Sequence, residues 1–456
     1  TFFPERRPFF VQDARLLGFN LSGMQNGLFY TRRIGREPQV RSLDGATFVD
    51  VPAQSTILGA AKFAGRMRGG LSIGGLVSVS GQAEGRGYFP TADSMAGFVA
   101  EPRTVAAVLS GQQEFRRGAT QVGGTVTMID RALPASRRLA HMPDQAVSAG
   151  LNFEHTWGNR RWALTGFLAG SRVVGDSVAL IRLQRSSNHY FQRPDATGYA
   201  VDSSATSMVG HEWRLQLEKR SGKHWTGSIW TGQRTSGFDV NDLGFSQGSE
   251  RLDLGARIAY AEITPGSLFR SYRVNVFTFH NWRNEALDDA FSASAWRRAY
   301  KRGSVWSNAN LTFLNYWELS FNARFNPTVQ SDALTRGGPL MTDPGTGGFR
   351  VELSSDRRRT VSFGLETGVN PASRAGSEFS IGAEVEVRPS PAVELSLAPQ
   401  FQAQRDHRQY VTAVSDASAT ETFGRRYVFA DLERRSFSLE TRVNVTFSPT
   451  LTLQLF

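Results

Sequence analysis

The stretch FSIGAEVEVRPSPAVELSLAPQF (residues 379–401) alternates without a break. Phe379, Ile381, Ala383, Val385 and Val387 fall on one face, and Ser380, Gly382, Glu384, Glu386 and Arg388 on the other. After Pro389, Ser390 and Pro391 the beat resumes, with Val393, Leu395 and Leu397 set against Glu394 and Ser396. Period two is the spacing of a β-strand, and two such runs joined by turn residues read as a hairpin. Its apolar face must meet a protein core or lipid, and alternation alone does not choose between them.

The same rhythm recurs in WELSFNARF (317–325), FSLETRVNVTF (437–447), RLDLGARIAY (251–260), VSFGLETGV (361–369) and HEWRLQLE (211–218). Such runs continue from about residue 57 to the end, at lengths near the roughly 9–11 residues that a membrane-spanning strand needs. The connections decide the matter. Short turns are expected near 68–69, 117–118, 157–159, 220–223, 264–267, 314–316, 356–358, 389–391 and 448–450. Between them fall longer connections near 81–102, 130–145, 174–205, 233–250, 281–302, 326–348, 371–378 and 405–431. In an up-and-down barrel every second connection lies at the same rim, so one rim has tight turns and the other long loops, the asymmetry of outer-membrane barrels. A soluble sandwich gives no reason for two such rims, and the blade repeats of a propeller are missing. Trp157, Trp162, Trp225, Tyr316 and Trp317 sit beside the tight turns, where an interfacial girdle or ordinary strand-end aromatics would be.

Composition agrees. Mean hydropathy is −0.32, which suits strands that are only half apolar. With no cysteine, disulfides and thiolate metal sites are excluded. The net charge of +11 is almost all arginine, because Lys62, Lys219, Lys223 and Lys301 are the only lysines. No contiguous basic tract or nucleic-acid motif accompanies it, so nucleic acid is not expected as a partner.

The segments TFFPERRPFF (1–10), GLFYTRRIGR (27–36), TILGAAKFAG (56–65), FDVNDLGF (238–245), NANLTFLNYW (308–317), LTRGGPLM (334–341) and YVFADLERRSFSLETRVNVTFSPTLTLQLF (427–456) together resemble a family of outer-membrane barrels. That family is known as carbohydrate-binding family 9-like domain-containing proteins (domain of unknown function 5916). The resemblance covers essentially the whole chain. It implies a sugar-binding-like periplasmic domain before Thr1 and further strands after Phe456. It carries over no catalytic or binding residue.

The expectation is therefore an all-β fold, a large antiparallel up-and-down transmembrane β-barrel of about 18 or more strands. Residues 1–56 form an Arg- and aromatic-rich segment, either a plug in the lumen or a periplasmic lead-in, and residues 57–456 form a barrel that is incomplete at its C-terminus. The chain opens at Thr1 without a signal peptide, as expected of a mature or excised segment. The expected location is the bacterial outer membrane. The expected partners are outer-membrane lipid and lipopolysaccharide, a glycan or small solute, and a periplasmic partner.

The candidate pore-lining set comprises Arg6, Arg7, Arg32 and Arg33 of the leading segment, with Asp253, Arg257, Glu318, Arg324, Glu384, Glu386, Arg388, Glu394, Glu440 and Arg442 on polar strand faces. These charges either select solutes or cross-link a wide interior as salt bridges. The leading arginines are expected to pair with Glu384, Glu386 and Glu394. No catalytic, cofactor or metal site is expected. His211–Glu212 lacks the second histidine of a zinc protease motif and lies in a strand, while Asp288–Asp289 and Asp406–His407 are loop residues. The Gly/Pro-rich stretch LTRGGPLMTDPGTGG (334–348) reads as a surface loop. Transport of a solute, for instance a glycan, is the leading function. A structural anchor for a periplasmic domain and an outer-membrane hydrolase are the alternatives.

Overall fold

Alternating apolar and polar residues make each strand two-faced, and the chain satisfies its backbone by pairing each strand with the next. The computed structural model describes residues 3–23, 25–134 and 137–456. In chain order the strands are β1 (Phe48–Asp50), β2 (Ile57–Arg66), β3 (Leu71–Ser80), β4 (Ala83–Phe89), β5 (Ser94–Glu101), β6 (Arg103–Phe115), β7 (Thr120–Ala132), β8 (Gln145–Trp157), β9 (Trp162–Val174), β10 (Ser207–Lys219), β11 (Trp225–Arg234) and β12 (Arg251–Glu262). They continue as β13 (Phe269–Trp282), β14 (Tyr300–Phe313), β15 (Glu318–Asn326), β16 (Val329–Ser331), β17 (Met341–Asp343), β18 (Thr346–Ser354), β19 (Val361–Ser373), β20 (Gly376–Ser390), β21 (Val393–Ser415), β22 (Arg425–Ser448) and β23 (Leu451–Leu455). Eighteen of these belong to one antiparallel up-and-down sheet. Two small sheets, β1-β4-β5 and β16-β17, lie in or before its connections. Among the described residues no ladder joins β2 to β23, whose pairings are with β3 and β22.

Tight turns and longer connections alternate along the chain as expected, with two exceptions. The long connection expected at 371–378 is a two-residue turn, Arg374–Ala375, because β19 and β20 run on to meet at Ser373 and Gly376. The loop expected at 405–431 shrinks to residues 416–424, because β21 and β22 stay paired as far as Ser415 and Arg425. Gln409, Tyr410, Phe429 and Ala430 keep that ladder going, and its bulges are near 406–412. The stretch 334–348 is partly strand: Met341–Asp343 pairs with Val329–Ser331. Within 81–102 the chain folds back as β4 and β5.

The chain forms two compact units. The first holds residues 1–217 and 231–252. Here one sheet face is apolar and exposed, with Leu109, Val126, Leu151 and Leu168 in view. The opposite face carries small and polar residues such as Ser110, Thr125, Ser148 and Ser171, which are buried. The second unit holds residues 218–230 and 253–456. Register makes its outward rows explicit: Phe321, Val351, Thr367, Ile381, Phe401 and Phe437 follow one another across six strands. No helix is long and apolar enough to cross a membrane.

The hairpin at 379–401 follows its sequence pattern. Phe379, Ile381, Val385, Leu395 and Leu397 are exposed on one face. Val385 pairs with Phe363 and Leu397, so the apolar side is shared by three strands. Glu386 pairs with Ser362 and Ser396, and Ser396 with Arg442, on the other.

Candidate functional site

The polar face of the first unit is small-featured for a reason: the leading segment packs on it. Phe10, Leu17 and Ile34 cluster with Leu76, Ala106, Val108, Ile129 and Ala146 of the strands and with Leu243 of the 235–250 connection. Phe19, Leu21 and Leu28 cluster with Ala169, Phe238 and Val240. Gly150 makes this possible, since a Cβ there would lie 2.5 Å from Phe19 Cζ. Burial of these side chains removes apolar surface from water at roughly 25 cal/mol per Å², and small wall residues let the segment approach closely.

Buried charges fix the segment's position. Glu212 and Arg234 are 1% and 2% exposed and pair at 2.7 Å. Glu212 also meets Arg251 at 3.3 Å and accepts a hydrogen bond from the Ser22 backbone N–H at 3.1 Å. Arg234 donates further to the carbonyls of Gln247 and Gly248. Arg131 pairs with Asp242 at 2.6 Å and donates to Pro143 O. Asp239 accepts from Asn241 N–H and sits 3.1 Å from His189 Nε2. Burial raises the Asp239 pKa, but the hydrogen bond and charge of His189 and the Asn241 donors outweigh it, and the net shift is downward. At Arg36 burial dominates, Arg131 adds repulsion, and Glu101 at 3.4 Å only partly compensates, so its pKa falls to about 10. Such pairs stand in place of water that the packed interface excludes.

Below this docked segment the wall is open. A cleft of about 380 Å³ is lined by Asn20 of the segment and by Gln112, Gln121, Asn152, Glu154 and Thr165 of β6–β9. Gln112 Nε2 donates to Gln121 Oε1 at 2.6 Å. Asn152 Oδ1 occupies the space over Gly123, where a Cβ would come within 2.5 Å of it. Arg214 and Phe167 complete the lining. Amide side chains donate and accept at once, so this surface suits a hydrated or hydroxylated solute.

The sequence-expected residues fall in several places. Arg7 pairs with Glu5 at 2.7 Å and donates to the carbonyls of Ile34 and Thr31. Arg32 donates to Pro4 O, Arg33 to Gly244 O, and Arg6 is exposed. Arg7 thus finds its acidic partner two residues away. Glu386 and Glu394 are instead engaged by Arg388, the latter at 3.6 Å. The expectation that Glu386 and Glu394 serve the leading arginines fails because Arg388 of the same hairpin engages both, and no ion pair joins Glu384 to a leading arginine among the described residues. Asp253 accepts from Asn281 Nδ2, Arg257 donates to Thr226 Oγ1, and Arg324 donates to Ser304 and Asn326. Glu318 stands on the face of Ser320 and Arg324, and Glu440 pairs with Arg442 at 3.0 Å. Arg7, Glu386, Arg388, Glu394, Glu440 and Arg442 therefore form ion pairs with partners close in sequence.

Sequence reasoning missed the amides of the cleft and the Glu212–Arg234 pair. The amides were legible as polar positions of alternating strands, but nothing local marks the ones that a distant segment leaves uncovered. Glu212 was weighed only as part of a metal motif. Among the described residues no group of three His, Asp or Glu is placed to hold a metal.

Comparison with solved structures finds chains of low sequence identity that match most of this one. The siderophore receptor PirA from Acinetobacter baumannii shares 8% identity over 89% of this chain and 74% of its own, at a TM-score of 0.39. The outer membrane protein OpdK from Pseudomonas aeruginosa shares 12% over 86% and 96%, at 0.35. A mutant ferric enterobactin receptor, PfeA, from Pseudomonas aeruginosa shares 9% over 93% and 67%, at 0.43. No curated protein matches the chain. The sequence profile of one family covers residues 1–456, and the chain accordingly belongs to the family described as domain of unknown function DUF5916.

Proposed function

We propose that the protein is a bacterial outer-membrane barrel that passes a small hydrophilic solute, with its leading segment as a plug. The observation that carries this is the two-sidedness of the sheet. One face is apolar and exposed, and the other is polar and, in the first unit, covered by residues 10–34. An exposed apolar face of this extent needs lipid, and lipid requires every backbone group to be paired within a closed sheet. Lipid and lipopolysaccharide are then the partners of Leu109, Leu151, Val385 and Leu397. Exposed Trp157 and Trp225 beside tight turns suit a headgroup girdle. Delivery of a glycan by a carbohydrate-binding family 9-like domain is part of this proposal.

A second reading, a closed anchor for a periplasmic domain or partner, is favoured by buried Glu212 and by Arg251, which hold the Ser22 backbone of the segment to the wall. Planar-bilayer conductance of the purified protein, with and without residues 1–56, separates the two. Low conductance that rises on deletion supports a plugged passage. A barrel closed in both forms overturns it in favour of the anchor.

A further inference from the structure

The second unit has a feature that its charges do not explain. On the polar face of the sheet, where Asp253, Arg257 and Arg324 stand, a row of aromatic rings crosses the strands. Trp230 lies 5.3 Å from Phe277 between centroids, and Phe277 lies 4.9 Å from Trp306. The ring planes are inclined by 32° and 33°, so the three form one shallow ramp. Gly255 lets the ramp cross β12, since a Cβ there would meet Trp230 Cζ2 at 2.0 Å. Phe277 and Trp306 are register partners, and the next partner of Trp306 is Arg324. Trp306 ends the ramp 45% exposed although its outward neighbours Val305 and Phe325 form the apolar face.

Beside this ramp runs a second row. Asn275 pairs with Asn308, and Asn308 with Asn322. Asn275 and Asn308 lie two residues from Phe277 and Trp306, and Asn322 two residues from Arg324, on the same strand face, which separates the rows by about 7 Å. Among the described residues no side-chain hydrogen bond engages these three asparagines. Nearby, Arg350, the register partner of Asn322, pairs with Glu366 at 2.6 Å, and Arg324 donates to the neutral side chains of Asn326 at 3.1 Å and Ser304 at 3.4 Å.

Resting on the reading of a solute passage, we infer that the face built by β13–β15 is a binding strip for a neutral saccharide. The C–H face of a sugar ring covers an aromatic face, while its hydroxyls need neighbours that both donate and accept, as amides do. A purely apolar ligand would leave the asparagines unpaired at a cost. An ion gains little from a neutral amide row. A filler role for the aromatics would cover Trp306, and it is open.

The test is isothermal titration of the full chain in lauryldimethylamine oxide, a sugar-free detergent, with maltohexaose, cellohexaose, N-acetylchitohexaose and benzoate. At least one hexasaccharide should bind saturably. Trp306→Ala should weaken it about tenfold or more, Trp306→Phe should largely retain it, and the pair Asn308→Leu with Asn322→Leu should weaken it similarly. Folding is checked by heat-modifiable gel migration, and the asparagine pair decides alone if Trp306→Ala does not fold. Absence of binding for all three hexasaccharides overturns the inference, as does unchanged affinity in the folded variants. Binding of benzoate alone assigns the strip to anionic aromatics instead and also overturns it. Saccharide binding without conductance would overturn the passage and leave this site standing. Conductance without saccharide binding would do the reverse.

Discussion

Glu212 is the residue whose loss should loosen the leading segment. Replacing it by alanine removes three contacts: Arg234 at 2.7 Å, Arg251 at 3.3 Å and the Ser22 N–H at 3.1 Å. Arg234 keeps its bonds to Gln247 O and Gly248 O but loses its 2.7 Å ion pair with Glu212. Breaking a buried pair in this way costs about 3–5 kcal/mol. The Ser22 contact is a hydrogen bond to a charged group, and its net share is about 1.5–3 kcal/mol. That share alone corresponds to roughly a 10- to 150-fold shift of the segment from docked toward released. Hydrogen–deuterium exchange of the folded protein reads this directly. Peptides spanning 19–30 should exchange faster in Glu212→Ala, while β19–β21 should not change. Glu212→Gln keeps an acceptor for Ser22 and should lie between the two. If exchange at 19–30 stays within about twofold of the native protein, and the midpoint of heat-modifiable migration is also unchanged, the network does not hold the segment.

Val385→Arg should impair assembly, because Val385 lies between Phe363 and Leu397 on the exposed apolar face, and a basic residue near the membrane midplane costs about 2–4 kcal/mol. Glu384→Gln, on the opposite face, should be tolerated; equal yields of folded protein in the outer-membrane fraction for both variants would refute the assigned facing. Glu5 gives a pH signature. Burial raises its pKa, but hydrogen bonds from the Arg7 side chain and backbone outweigh this and hold it at about 2, below the ordinary 4.5. A depressed carboxylate pKa means that its stabilisation is full above about 4.5 and is lost as pH falls toward about 2. Protection of residues 3–12 against exchange should decline in that window for the native protein and be flat for Glu5→Gln.

Strand rhythm is the part of the fold that is legible locally. The alternation of Phe379 through Leu397 fixes strand identity and facing, because side chains in a strand point alternately to either side whatever else the chain does. The spacing of turns fixes the up-and-down order for the same reason. Errors arose where strands outlast their apparent ends: β21 and β22 keep pairing through Tyr410 and Phe429, because a ladder already formed makes the next backbone pair cheap even where the side-chain rhythm is weaker.

The candidate site was less legible. Polar-face positions were identifiable, but partners were not. Arg7 chooses Glu5, Arg388 chooses Glu386, and Glu212 reaches Arg234, Arg251 and Ser22. The sequence by itself determined a two-faced strand meander and which residues belong to each face, since both follow from a period of two. Only the tertiary structure decided which part of the polar face is covered by residues 10–34, and which part stays open at Asn152 and Gln121. It alone set Trp230, Phe277 and Trp306 side by side. Rows that run across strands are fixed by register and by the docking of distant segments, and neither is written in the spacing along a single strand.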